Sequence, residues 1–78
     1  MDSREERWKR AETDLYWLLD RVRDDIDSAS ADLIEDFIEN REYEVALDWL
    51  MSVCENKSIL LDEASSQIVT SLNRQMAR

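Results

Sequence analysis

Glycine, proline and histidine are absent from the 78 residues, and cysteine occurs once. Without glycine and proline the chain lacks the residues that most often punctuate turns and strands, which leaves a composition suited to helices joined by tight connections. Without histidine it lacks the side chain most often recruited for proton transfer near neutral pH. Cys54, standing alone, cannot close an internal disulfide. Long apolar runs are missing too: the run 59–61 is three residues, far short of the roughly 20 that span a bilayer.

Seventy-eight residues supply apolar surface for one core, so a single helical domain over 1–78 is expected. A core of this size leaves only about 3 to 5 kcal/mol of net stability. The hydrophobic content of 44% is too high for a disordered acidic tail. The first ten residues, MDSREERWKR, contain no apolar segment of a secretory signal, and the expected location is the cytoplasm.

Basic residues are scarce, and the net charge is −9. The deficit is local. Residues 1–12 balance four acids with four bases and residues 49–78 balance three with three, whereas residues 14–48 carry twelve acids against Arg21, Arg23 and Arg41. Such a field repels nucleic acid and membrane phosphates and steers a basic protein towards it.

Four segments show helical periodicity. Trp8, Ala11, Leu15, Leu18, Leu19, Val22 and Ile26 mark a stripe over residues 4–27, with a kink or break expected near Asp24 and Asp25, where adjacent acids oppose a helix C-terminus. Ser28 or Ser30 is the expected N-cap of a second helix over 31–39, whose apolar side is Leu33, Ile34, Phe37 and Ile38. Asn40 is the expected left-handed C-cap. A third helix over 42–55 rests on Tyr43, Ala46, Leu47, Leu50, Met51 and Cys54, and Asn56 repeats the stop signal. Asp62 then caps a fourth helix, entered at Leu61 and Ala64, with a seam of Ile68, Val69, Leu72 and Met76. Short connections between amphipathic helices predict an all-α fold, a compact antiparallel bundle of about four helices.

Little in this pattern points to catalysis. Cys54 falls on an apolar seam, where a neutral, inert thiol is expected. Asp25, Asp27, Ala29 and Ser30 have the outline of a calcium loop but lack its turn glycine and a ligand at the fifth position. The expectation is a protein that is not an enzyme and holds no metal or cofactor.

Binding has better candidates. Asp32, Glu35, Asp36 and Glu39 share the side of the second helix opposite Leu33, Ile34 and Phe37. They read equally as a solvated face and as a docking strip for lysines and arginines. Trp17 lies far from the first helix's seam and Trp49 well off the third's, so each either covers a neighbouring element or anchors an interface. Asp20, Asp24 and Asp27 on another face of the first helix extend the acidic surface or simply solvate it.

The run Asp36-Phe37-Ile38-Glu39-Asn40-Arg41-Glu42-Tyr43-Glu44-Val45-Ala46-Leu47-Asp48-Trp49-Leu50, followed by Cys54-Glu55-Asn56, Ile59 and Asp62, resembles small bacterial immunity proteins of the MafI and colicin-immunity-like kind, the contact-dependent inhibition type. The resemblance covers about residues 33–76. Those proteins tend to have glycine before the glutamate-aromatic pair and often proline before the last helix, where this chain has Arg41 and Ser58-Ile59. The resemblance implies a cytoplasmic antidote that binds the toxic domain of a secreted effector, commonly a nuclease, and blocks its active site or substrate groove. It assigns no interface residue, because its motif marks scaffold positions.

The expected partner is therefore a toxin domain with a basic surface, without direct contact to nucleic acid or membrane, and the free chain is expected to be a monomer or weak dimer. Two rival readings use the same features. One is an acidic DNA mimic that inhibits a DNA-binding protein; the other is a helical adaptor or homodimer whose exposed aromatics pair with themselves.

Overall fold

The computed structural model describes residues 3–76. Among them the chain forms four helices and no strand: α1 (Ser3–Val22), α2 (Ser28–Glu39), α3 (Tyr43–Asn56) and α4 (Glu63–Gln75), with a single 3-10 turn, Arg23–Asp25, between α1 and α2. The architecture is an all-α bundle. No helix among the described residues is long and apolar enough to cross a membrane.

The apolar seams meet in one core. Leu15, Leu18 and Leu19 of α1, Ile34 and Ile38 of α2, Leu50 of α3 and Leu72 of α4 are fully buried. α2 and α3 pack on each other and both pack on α1, while α4 packs chiefly on α1. Contacts at the helix ends fix directions. The hydroxyl of Tyr43, the first residue of α3, donates to Glu12 of α1 at 3.5 Å. Gln75 and Met76, at the far end of α4, line a cleft with Arg7 and Trp8, while Asp62, just before α4, lies beside Arg21 and Val22. α4 is thus antiparallel to α1.

The break after α1 comes where paired acids predicted it, and the helix stops at Val22 rather than continuing to residue 27. Ile26 turns extended (φ −120°, ψ 161°) yet stays buried, tying the connection to the core. The N-cap of α2 is Asp27, not Ser28 or Ser30: its carboxylate accepts from the Ser30 backbone N–H at 3.2 Å and from the Ser30 hydroxyl at 2.7 Å. An Asp one turn ahead of a Ser satisfies both groups, so the helix starts three residues earlier than residue 31. Asp62 caps α4 as expected, accepting from the Ser65 N–H at 2.7 Å.

The two helix stops use a different residue from the one expected. Asn40 is the C-cap of α2 with ordinary dihedrals (φ −87°, ψ 10°), and the left-handed residue is Arg41 (φ 62°). Its N–H donates to the Ile38 carbonyl at 3.0 Å and the next N–H, of Glu42, to that of Phe37 at 2.8 Å, which is a Schellman closure. The closure recurs after α3, where Asn56 is still helical, Ser58 is left-handed (φ 54°), Ser58 N–H donates to Glu55 and Ile59 N–H to Cys54. In each case the asparagine precedes the strained position, and a non-glycine residue carries it. Ile59 packs back onto the core and closes the second cap.

Two seam assignments are corrected. Trp8 is 44% exposed and Leu33 36% exposed. Trp8 lies one turn before Ala11, where the buried stretch of α1 begins, and Leu33 sits at the margin of its helix's buried face, next to Ile34. Val53, outside the expected seam, is buried on α3.

Candidate functional site

The carboxylates of α2 divide into two pairs. Glu35 is half-exposed and its Oε2 lies 3.3 Å from the guanidinium of Arg23. Glu35 and Glu39 also act on Tyr16 of α1, whose hydroxyl is pushed to a higher pKa first by burial and then by the charges of Glu39, Glu12 and Glu35. These two acids belong to the α1 side of α2. Asp32 and Asp36 are exposed and stand on the outward face of the helix, between Glu39 and Leu33.

Trp49 is 44% exposed and its ring centre lies 6.3 Å from that of Phe37, with the planes inclined by 31°. This tilted contact joins α3 to α2 at the surface, and Trp49 therefore both covers a neighbouring helix and presents its outer face to solvent. Phe37 itself is half-buried.

Trp17 lies elsewhere. The guanidinium carbon of Arg21, one turn along α1, sits 4.7 Å from the Trp17 ring centre, and the same guanidinium forms an ion pair with Asp62 ahead of α4. Trp17 thus belongs to the α1–α4 side and is 38% exposed. Asp20, on the outer face of α1, and Asp24, in the 3-10 turn, are exposed as well. The structure brings Trp49 against Phe37 of α2, while Trp17 packs with Arg21 on the α1–α4 side.

The Arg21 pair leaves its mark on Asp62. Hydrogen bonds from the Ser65 N–H and hydroxyl, with Arg21 adding to them, hold its carboxyl at about 2. Asp27 is also held below the usual carboxylate range, first by the Ser30 hydroxyl and then by the Ser30 N–H. Both carboxylates are committed to helix caps. Burial, with the nearby charge of Asp25, pushes the Cys54 thiol up, away from the reactive thiolate.

One surface went unread in the sequence. At the end of the bundle where α1 starts and α4 finishes, Trp8, Tyr43, Val45 and Met76 line an open cleft of about 520 Å³ beside Arg7 and Arg41. A second cleft next to it is lined by Arg7, Arg10 and Arg74. Gln75 borders both; its Nε2 donates to the Ser71 hydroxyl at 3.3 Å, while its buried Oε1 has no partner among the described residues. Glu42 and Glu44 line the first cleft and Glu6 the second, so arginines and acids are mixed at this pole.

No family model matches the chain, and no curated protein or solved structure matches it either.

Proposed function

We propose that the protein is an immunity protein, an inhibitor that binds a basic toxin domain and occludes its active site or substrate groove. The observation that carries this reading is the face of α2, where Asp32 and Asp36 stand exposed on the helix whose Phe37 is in contact with the half-exposed ring of Trp49. Carboxylates around an aromatic side chain suit a partner with lysines and arginines, because the charges steer the encounter and the desolvated ring supplies the anchoring area. Nucleases bind phosphates through basic surfaces, so an acidic protein that complements such a surface competes with the substrate.

The reading needs no catalytic group in this chain. Inhibition here is occupancy: the bound helix excludes the nucleic acid by bulk and by charge. The cytoplasm is where such an antidote would act.

Co-expression with the protein encoded immediately upstream tests the proposal. The expected result is that the neighbour carries a toxic domain, that the two co-purify, and that cells making both survive. A neighbour without a toxic domain, or toxicity unchanged by this chain, rejects it.

A further inference from the structure

α2 and α3 are joined by a three-residue turn, residues 40–42, and pack side by side. Positions equally far from Arg41 therefore lie level across the helix pair: Leu33 with Trp49, and Phe37 with Val45. Trp49 leans towards the start of its own helix, as helical side chains do, and so reaches Phe37 on the diagonal. By this register the four side chains share the α2–α3 edge, with Leu33, Val45 and Trp49 36%, 39% and 44% exposed and Val45 also bordering the cleft of Arg7 and Arg41. Among the described residues, Leu60, on the loop before α4, is the one large aliphatic side chain more exposed than Leu33 and Val45.

The patch has an acidic border on both helices. Asp32 precedes Leu33, Asp36 precedes Phe37 and Asp48 precedes Trp49, and all three acids are exposed. One step back along a helix turns 100°, which moves each carboxylate from the patch to its outer edge. Arg23 is engaged with Glu35 on the opposite, α1 side, and Arg41 stands in the turn at one end of the edge, beyond Phe37 and Val45 and away from Asp32 and Asp48.

From this arrangement we infer that the α2–α3 edge is a docking surface for a basic amphipathic segment of a partner protein, with apolar side chains seated on Leu33, Phe37, Val45 and Trp49 and flanking lysines or arginines reaching Asp32, Asp36 and Asp48. The inference rests on the reading that α2 faces a basic partner; it does not depend on that partner being a toxin. Charge selects this occupant over the others. A second copy would bring two sets of the same carboxylates together around the apolar centre, and like charges in apposition oppose binding. Nucleic acid and an anionic bilayer meet the same repulsion.

The test is NMR titration of the full isotope-labelled chain with a 14-residue lysine/leucine peptide patterned as an amphipathic helix, and with a glutamate/leucine peptide of identical apolar spacing. The basic peptide is expected to shift resonances of Leu33, Phe37, Val45 and Trp49, and the acidic one to leave them in place. The Asp36→Lys/Asp48→Lys variant, which touches no core side chain, is expected to weaken the basic peptide by about tenfold or more; Leu33→Ser is expected to weaken it with the acidic border intact.

Shifts clustered at Trp8 or Trp17, equal responses to both peptides, or variants that bind as the parent does overturn the inference. Concentration-dependent shifts of the same four residues without peptide also overturn it, in favour of a second copy. Failure to protect cells from the upstream toxin, with the peptide mapping intact, rejects the immunity reading alone. Protection that survives both variants unchanged rejects this surface alone.

Discussion

The ring of Phe37 rests against the ring of Trp49 at 6.3 Å, inclined by 31°, and this contact closes the outer edge of the α2–α3 pair. Because Trp49 is 44% exposed, its loss opens an edge rather than a cavity. Trp49→Ala is expected to cost about 1 to 2 kcal/mol, the worth of an aromatic pair plus half a buried ring. Urea unfolding checks this. A loss on the scale of a fully buried side chain would mean that Trp49 is part of the core.

The left-handed positions give a prediction with a sign. Arg41 (φ 62°) and Ser58 (φ 54°) hold a conformation that costs non-glycine residues about 1 kcal/mol or more. Arg41→Gly and Ser58→Gly are each expected to stabilise the fold by roughly 0.5 to 1 kcal/mol, since the strain relieved outweighs the added freedom of the unfolded chain. Asn40→Gly, at an ordinary φ of −87° and with loss of the Asn40 Nδ2 hydrogen bond to the Asp36 carbonyl, is expected to destabilise. The reverse order in thermal unfolding would place the strain at Asn40.

Asp62 sets an acid limb to stability. Its folded pKa, about 2, lies below the ordinary carboxylate value, so its contribution is fully present above the unfolded value near 3.9 and fades as pH falls from there through 2. The difference in unfolding free energy between the parent and Asp62→Ala is expected to be constant above about pH 5 and to close towards pH 2. Asp27, also lowered, adds to the same limb. A difference that persists unchanged at pH 2 would assign the cap to groups other than the carboxylate.

Cys54 is buried in the core seam and its thiol is pushed up by that burial. Labelling by a disulfide reagent is therefore expected to be slow in the folded protein and to accelerate on unfolding. Leu50→Ala, at a fully buried position, is expected to remove about 2 to 5 kcal/mol, comparable with the whole stability of so small a core, and to expose Cys54 to immediate labelling. Rapid labelling of the parent would contradict the buried seam.

The sequence made the helical core legible because a 3.6-residue period reports which side of each helix is covered: Leu15, Leu19, Ile34, Leu50 and Leu72 are all buried as the stripes predicted. Asp62 was readable as a cap since its signal is local. Arg41 and Ser58 were not, because without glycine the left-handed position is set by which N–H groups can reach back to the last turn, and the neighbouring asparagines drew attention one or two residues early. Leu33 and Trp8 lay near the margins of their stripes, and only the placement of neighbouring helices decides marginal positions.

The same limit applies to the candidate surface. The acids of α2 could be counted in the sequence, yet their division into an α1 side with Glu35 and Glu39 and an outer side with Asp32 and Asp36 depends on where Arg23 and Tyr16 fall. The Phe37–Trp49 contact and the patch around it depend on helix register across residues 40–42, which periodicity within a single helix does not contain.

The division decides the sharpest measurement. Reversing Glu35 would set two cations together at Arg23 and disturb the fold, whereas Asp32 and Asp36 form no ion pair among the described residues. The association rate of the full chain with the proposed basic partner, measured for the parent and for Asp32→Lys/Asp36→Lys at low and moderate salt, tests whether this face does the binding. The variant is expected to associate about tenfold or more slowly at low salt, with a flatter salt dependence. An unchanged rate and salt dependence in the folded variant would contradict the assignment of this face to a basic partner.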